Sequence, residues 1–133
     1  MAFKLISRPD PAPMTFLVTD DEAVSYGEAL KFSSGRLTKA AAGGTVAAVA
    51  LHDVTAGTDK TCKVLLVGPE QIWEVEYTGT PDAGFVIGCN SADLDSNALK
   101  INAADVTGGP CSVLKIDSAN KKCWVQFKNR QLT

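Results

Sequence analysis

From Val24 onward the apolar positions of this chain come in short runs, cut about every eight to twelve residues by clusters of Gly, Asn, Asp and Pro, which is the punctuation of an all-β chain. In "ALKFSSGRLTKA" (29–40) Leu30 and Phe32 alternate with Lys31, Ser-Ser-Gly supplies a turn, and Leu37 alternates with Arg36 and Thr38. That pattern predicts a two-stranded hairpin. "TVAAVAL" (45–51) predicts a strand of small residues, suited to a crowded barrel interior where backbones come close. Six further candidates follow: "CKVLLV" (62–67), "IWEVEY" (72–77), "GFVIGC" (84–89), "ALKI" (98–101), "CSVLKI" (111–116) and "CWVQF" (123–127). Helical periodicity is scarce. The single helix candidate is "TDDEAVSYGEAL" (19–30), where Thr19 or Asp20 would cap and the acids would favour the helix start.

Two of the strands declare their inward face. In 71–77, Trp73, Val75 and Tyr77 alternate with Ile72, Glu74 and Glu76, which puts the two aromatics and the valine into the core. At the C-terminus Cys123, Val125 and Phe127 share one face, opposite Trp124, Gln126 and Lys128, so Trp124 is predicted to be partly exposed. About eight short strands bury one face and limit free edges by closing into a barrel or stacking as a compact sandwich.

Residues 1–23 have a different character. Pro9, Pro11 and Pro13 fall at alternate positions, leaving the backbone short of donors and biased toward an extended form. The flanking "FKLI" and "MTFLV" are apolar enough to pack on something. Two readings stand: an edge strand laid on its own domain with a proline-broken link, or an arm reaching a partner. The expected organisation is an extended arm over 1–23 and one β domain over 24–133.

Composition narrows the function classes. The 133 residues suit one domain that buries roughly two-thirds of its unfolded surface. With 13 basic and 15 acidic residues mixed along the chain, net charge −2, there is no basic stripe to neutralise phosphates, and nucleic acid is not an expected partner. Lys4 breaks the first apolar stretch, so neither a signal-peptide core nor a membrane span is expected, and synthesis in a cytoplasm follows.

Candidate chemistry is thin. Cys62, Cys89, Cys111 and Cys123 lie 27, 22 and 12 residues apart, with no C-x-x-C pair and no second histidine for a zinc set; buried reduced thiols are the expectation. The lone histidine, His52, stands ten residues before Cys62, but no oxyanion-hole motif or glycine elbow supports a nucleophile–base pair. "DLDSNALKINAA" (93–104) opens like a calcium loop with Asp93, Asp95 and Asn97, then has Ala98 where glycine belongs and Ala104 where a bidentate glutamate belongs, and reads as a polar turn. "AAGG" (41–44) lacks the lysine and spacing of a phosphate-binding loop. Glu74 and Glu76 share a strand face as paired acids do, on the side assigned to solvent.

The order of elements in 24–67 is more specific: "YGEAL", a short hairpin, a "VAAVAL" strand ending in "HDVTAGT", then the apolar strand "CKVLLV". This succession resembles the small β-barrel head decoration, or cement, proteins of tailed bacteriophages. "GFVIGCN" is similar to a later strand of that family and "CSVLKIDSANKKCWVQF" to its closing hairpin, with Asp117, Ser118, Ala119 and Asn120 in the turn. Ala48 stands where the family usually has glycine, and four cysteines are not part of its pattern.

The resemblance implies an all-β, β-barrel, β-tulip-like or sandwich domain with at most one short helix, no enzyme activity, no cofactor and no metal. It further implies a place on the outer surface of the virion, where the protein would stabilise the expanded head against internal pressure. The partners implied are the major capsid protein and further copies of this chain, a trimer being favoured. Phe3, Leu5, Ile6, Pro9, Pro11, Pro13 and Phe16 are then the residues expected to bind capsid or neighbour, in part by strand addition to a sheet edge. On that view, removing residues 1–18 leaves a folded barrel. Alternatives are another virion part, such as a tail-tube or head–tail joining subunit, and a carbohydrate-binding β-sandwich using Trp73, Trp124 and Tyr77 as platforms.

Overall fold

A computed structural model describes residues 2–8 and 10–132. The chain is all-β. Among the described residues eleven strands form two sheets: β1 (Lys4–Leu5), β2 (Met14–Leu17), β3 (Ala29–Ser33), β4 (Arg36–Lys39), β5 (Ala48–Ala50), β6 (Thr61–Leu66), β7 (Trp73–Thr78), β8 (Asp93–Leu94), β9 (Ile101–Asn102), β10 (Cys111–Asp117) and β11 (Lys122–Phe127). One sheet runs β2-β6-β5-β3-β4; the other runs β10-β11-β7-β9-β8, with β1 also on β7. Pairing is antiparallel except between β7 and β9.

Each sheet curls back on itself through one isolated bridge. In the first, Val18 at the end of β2 bridges Leu37 of β4, and the Thr19 amide donates to the Leu37 carbonyl at 2.9 Å. In the second, Ala92 before β8 bridges Cys111 of β10. Such closure removes free sheet edges at little cost in chain length.

Alternation then builds two cores. Leu30, Ala48, Ala50, Cys62 and Val64 point inside the curled first sheet with Val18, Val24, Leu37 and Val54. Their neighbours Ala29, Val49 and Leu65 point the other way, into the larger core under the second sheet. That core holds Trp73, Val75, Tyr77, Val125 and Phe127, all buried as their alternation requires. Trp124 is half-exposed. The hairpin forms across Ser34 and Gly35, both at positive φ (51° and 80°), the geometry of a type I′ turn.

Three expectations are corrected. No helix forms among the described residues; 19–28 holds turns and a single bridge at Val24, because Asp20 and Glu22 bind residues of β4 and of the loop before β6, and Asp21 takes φ 62°. "GFVIGC" is a pair of turns, not a strand: Asp82 accepts from the amides of Phe85 and Gly84, the Cys89 amide donates to Val86, and Val86 and Ile87 face out. In "ALKI" only Ile101 is in a strand, since Ala98 sits at φ 55°. Of the two readings of the N-terminal segment, the strands seen are those of a segment laid on its own domain, with β1 in one sheet and β2 in the other.

Phe3 anchors that segment. It is 4% exposed, stacks on Phe127 at 5.1 Å between ring centroids, and donates its amide to Gly27. Gly27 has φ 80°, and a β-carbon there would come within 2.6 Å of the Ala2 side chain. Only glycine admits the strand at this point. Replacing Phe3 by alanine is predicted to destabilise the fold by about 3–5 kcal/mol, the usual cost of emptying a buried aromatic site. Urea titration of the two proteins checks this, and an unchanged midpoint would contradict the placement of Phe3. Removal of residues 1–18 takes both strands away and is predicted to unfold the chain, in contrast to the expectation above.

Candidate functional site

Of the residues expected to bind a partner, Phe3 is committed to the domain's own core. Leu5 and Ile6 are half-buried, Leu5 packing on the same core and the Ile6 amide donating to the Ile72 carbonyl at 2.9 Å. Pro9 lies outside the described residues. Pro11 is half-buried and Pro13 exposed. Phe16 packs at the rim of the smaller core, edge-on to Phe32 at 4.9 Å. The segment's exposed large apolar side chains are therefore Met14 and Leu17 of β2, 46% and 40% exposed, which sequence reasoning left out. Alternation alone could not find them, because a strand at a curled edge leaves both faces partly open.

Polar side chains that could carry chemistry are spent on backbone. Glu22 accepts from the Thr38 hydroxyl at 2.7 Å and from the Lys39 amide at 2.9 Å, capping the outer edge of β4. Asp20 and Asp59 hold Arg36 at 3.1 and 2.8 Å, pinning the loops that flank Val18. Asp93, buried, accepts from the amides of Gly43 and Leu94, both at 2.8 Å, so the "AAGG" turn is tied to the second sheet. Asp95 accepts from Leu99 and Lys100 amides. The calcium-like run is thus a set of turn caps. No cluster of three or more His, Cys, Asp and Glu is placed to hold a metal among the described residues.

The histidine and cysteine do not meet. His52 is exposed; its Nε2 accepts from the Lys63 amide at 3.1 Å and its Nδ1 lies 3.0 Å from the Asp53 carbonyl. Cys62 points into the smaller core, where burial raises its thiol pKa above the ordinary value. Burial also pushes Cys123 up to about 12 and Cys111 well above the normal thiol range. All four cysteines are free, and only Cys89 is partly exposed. A thiol becomes nucleophilic as thiolate. Native protein is predicted to react with Ellman's reagent at one of its four thiols and denatured protein at all four; rapid native labelling of two or more would contradict this packing.

On the outer face of the second sheet Trp124 donates through Nε1 to Glu74 at 3.3 Å, and the Lys115 ammonium lies 4.5 Å from its ring centroid. With Trp73 and Tyr77 buried, the stacking surface proposed for sugars reduces to one ring already in use.

Glu28 is the least expected group. It lies 3% exposed at the end of β3; Oε1 accepts from the Ser25 amide at 3.2 Å, while Oε2 has no partner. Burial raises its pKa, outweighing the Ser25 bond and the attraction of Lys39. A carboxyl whose folded pKa lies above its unfolded one contributes stability below the unfolded value and loses it as pH rises through the folded value. Glu28→Gln is predicted to stabilise the protein by about 1 kcal/mol at neutral pH, with the gain shrinking toward about pH 4. Thermal melts across that range check the sign; a variant less stable at neutral pH would overturn it.

No protein-family model matches this chain, and no curated protein matches it.

Proposed function

We propose that this chain is a capsid decoration protein: a small all-β module that binds the outside of an expanded icosahedral phage head and stabilises it against internal pressure. The observation that carries this reading is the folding of the 24–67 run, whose order of elements resembles the cement family, into four adjoining strands of a single curled sheet, in the spatial order β4-β3-β5-β6. Its hairpin, small-residue strand and returning strand occupy one structural unit, as a shared architecture requires. The edge-capping described above also suits a rigid body that repeats weak contacts over a symmetric surface, where avidity multiplies each one.

In this reading the contacts come from exposed apolar positions on β2, Met14 and Leu17, and not from Phe3. Purified protein is predicted to co-sediment with empty expanded heads of the virus that encodes it, saturating at a fixed ratio to major capsid protein. Leu17→Lys should weaken this binding at least tenfold while leaving the melting curve intact. Absence of binding to intact expanded heads would overturn the proposal, and ring formation by the free protein would favour a tail or head–tail joining part.

A further inference from the structure

We propose that the N-terminal segment Phe3–Ile6 is an exchangeable strand, and that the socket it fills on one molecule also receives the same segment of a second copy of this chain.

The segment is attached by separable contacts. Among the described residues they include the two-residue ladder Lys4↔Glu74 and Leu5↔Trp73, the Phe3 and Ile6 amides donating to Gly27 and Ile72, the Phe3 ring buried against Phe127, and Leu5 packed on the same core. The Ile72 amide donates back to Ser7 Oγ at 3.0 Å. None of these depends on which chain supplies the strand. The socket is made for this sequence: Gly27 leaves room for Ala2 and Phe3, and a bulkier residue there would close it.

The connection favours exchange. It joins an edge of one sheet to an edge of the other, since β1 pairs with β7 while β2 pairs with β6. The chain must bend at Ser7 and Arg8 to achieve this, although prolines at 9, 11 and 13 bias the same stretch toward an extended course. A cleft of about 260 Å³ opens beside the bend, between Leu5, Arg8 and Asp10 on the segment and Tyr26, Leu51 and Leu65 on the body. The seat is incompletely filled there, so leaving it forfeits fewer contacts than a packed strand would. Straightened, a proline-rich connection extends about 3.1 Å per residue, so six residues carry the segment roughly 19 Å. The exchanged state makes the same strand contacts and relieves the bend, and concentration then sets the balance. A reciprocal exchange gives a pair; passing the segment onward gives a closed ring.

The test uses two differently tagged full-length chains expressed together, both carrying Cys89→Ser, one with Lys4→Cys and the other with Glu74→Cys. Hydrogen-bonded antiparallel partners lie about 5.5 Å apart at Cα, within disulfide reach. Mild oxidation is expected to yield a mixed-tag covalent species of twice the 14.0 kDa chain mass, cleaved by reductant. The proposal is overturned if no mixed-tag species forms while one chain carrying both substitutions closes an internal disulfide.

Discussion

Strand β5 is where the two cores meet, and the size of its side chains fixes everything around it. Ala48 and Ala50 face the interior of the curled first sheet, and Val49 faces the core shared with the second. A strand buried on both faces must be apolar throughout, and one inside a tight curl must also be small. Each added methylene there would force backbone shifts, at about 1–3 kcal/mol. The bland "VAAVA" run is therefore a strand buried on both faces, with β3 on one side and β6 on the other.

Around that strand the problem is one of edges. Sheets this short expose unpaired amides at every margin, and here polar side chains meet them. Glu22 caps Lys39 of β4. Gln131 lays its amide along β3, donating to the Phe32 carbonyl at 2.9 Å and accepting from the Phe32 amide at 2.7 Å, as a neighbouring strand would. Residues 88 and 89 exchange hydrogen bonds with Val113 on the outer side of β10. Buried or edge amides cost free energy when unpaired, so these acids and amides serve the fold before any chemistry.

How much of this was legible follows from the same division of labour. β7, β11 and the hairpin were readable because one face is buried and the other wet, which is what alternation encodes. The β10 strand was readable until Leu114, where a bulge shifts the register and brings Ile116 opposite Cys123. The run 84–89 misled because apolar Val86 and Ile87 imitate a strand while facing solvent on a turn. The 19–30 segment misled because Asp20 and Glu22 have helix-start spacing but bind Arg36, Thr38, Lys39 and Asp59 elsewhere in the fold. No local signal distinguishes a glutamate that caps its own helix from one that caps a strand elsewhere, since the partner is set by tertiary contact. Among the residues expected to face a partner, Phe3 is the most apolar and the core takes it, which leaves Met14 and Leu17 as the large apolar side chains that the segment exposes.

The N-terminal segment ties these points together. A chain whose acids and amides are committed to its own backbone presents apolar side chains at separate places: β2, the turn at Val86 and Ile87, Leu114 in its bulge and Leu132 near the C-terminus. Isolated apolar residues on a monomer surface need no explanation, but those on β2 lie on the strand that follows β1, and β1 is tied to the other sheet by the Phe3 ring and a two-residue ladder. Body and first strand are therefore coupled through Phe3: the ring that completes the larger core is also the chief attachment of β1, so the socket that closes the fold is the one a second copy would enter.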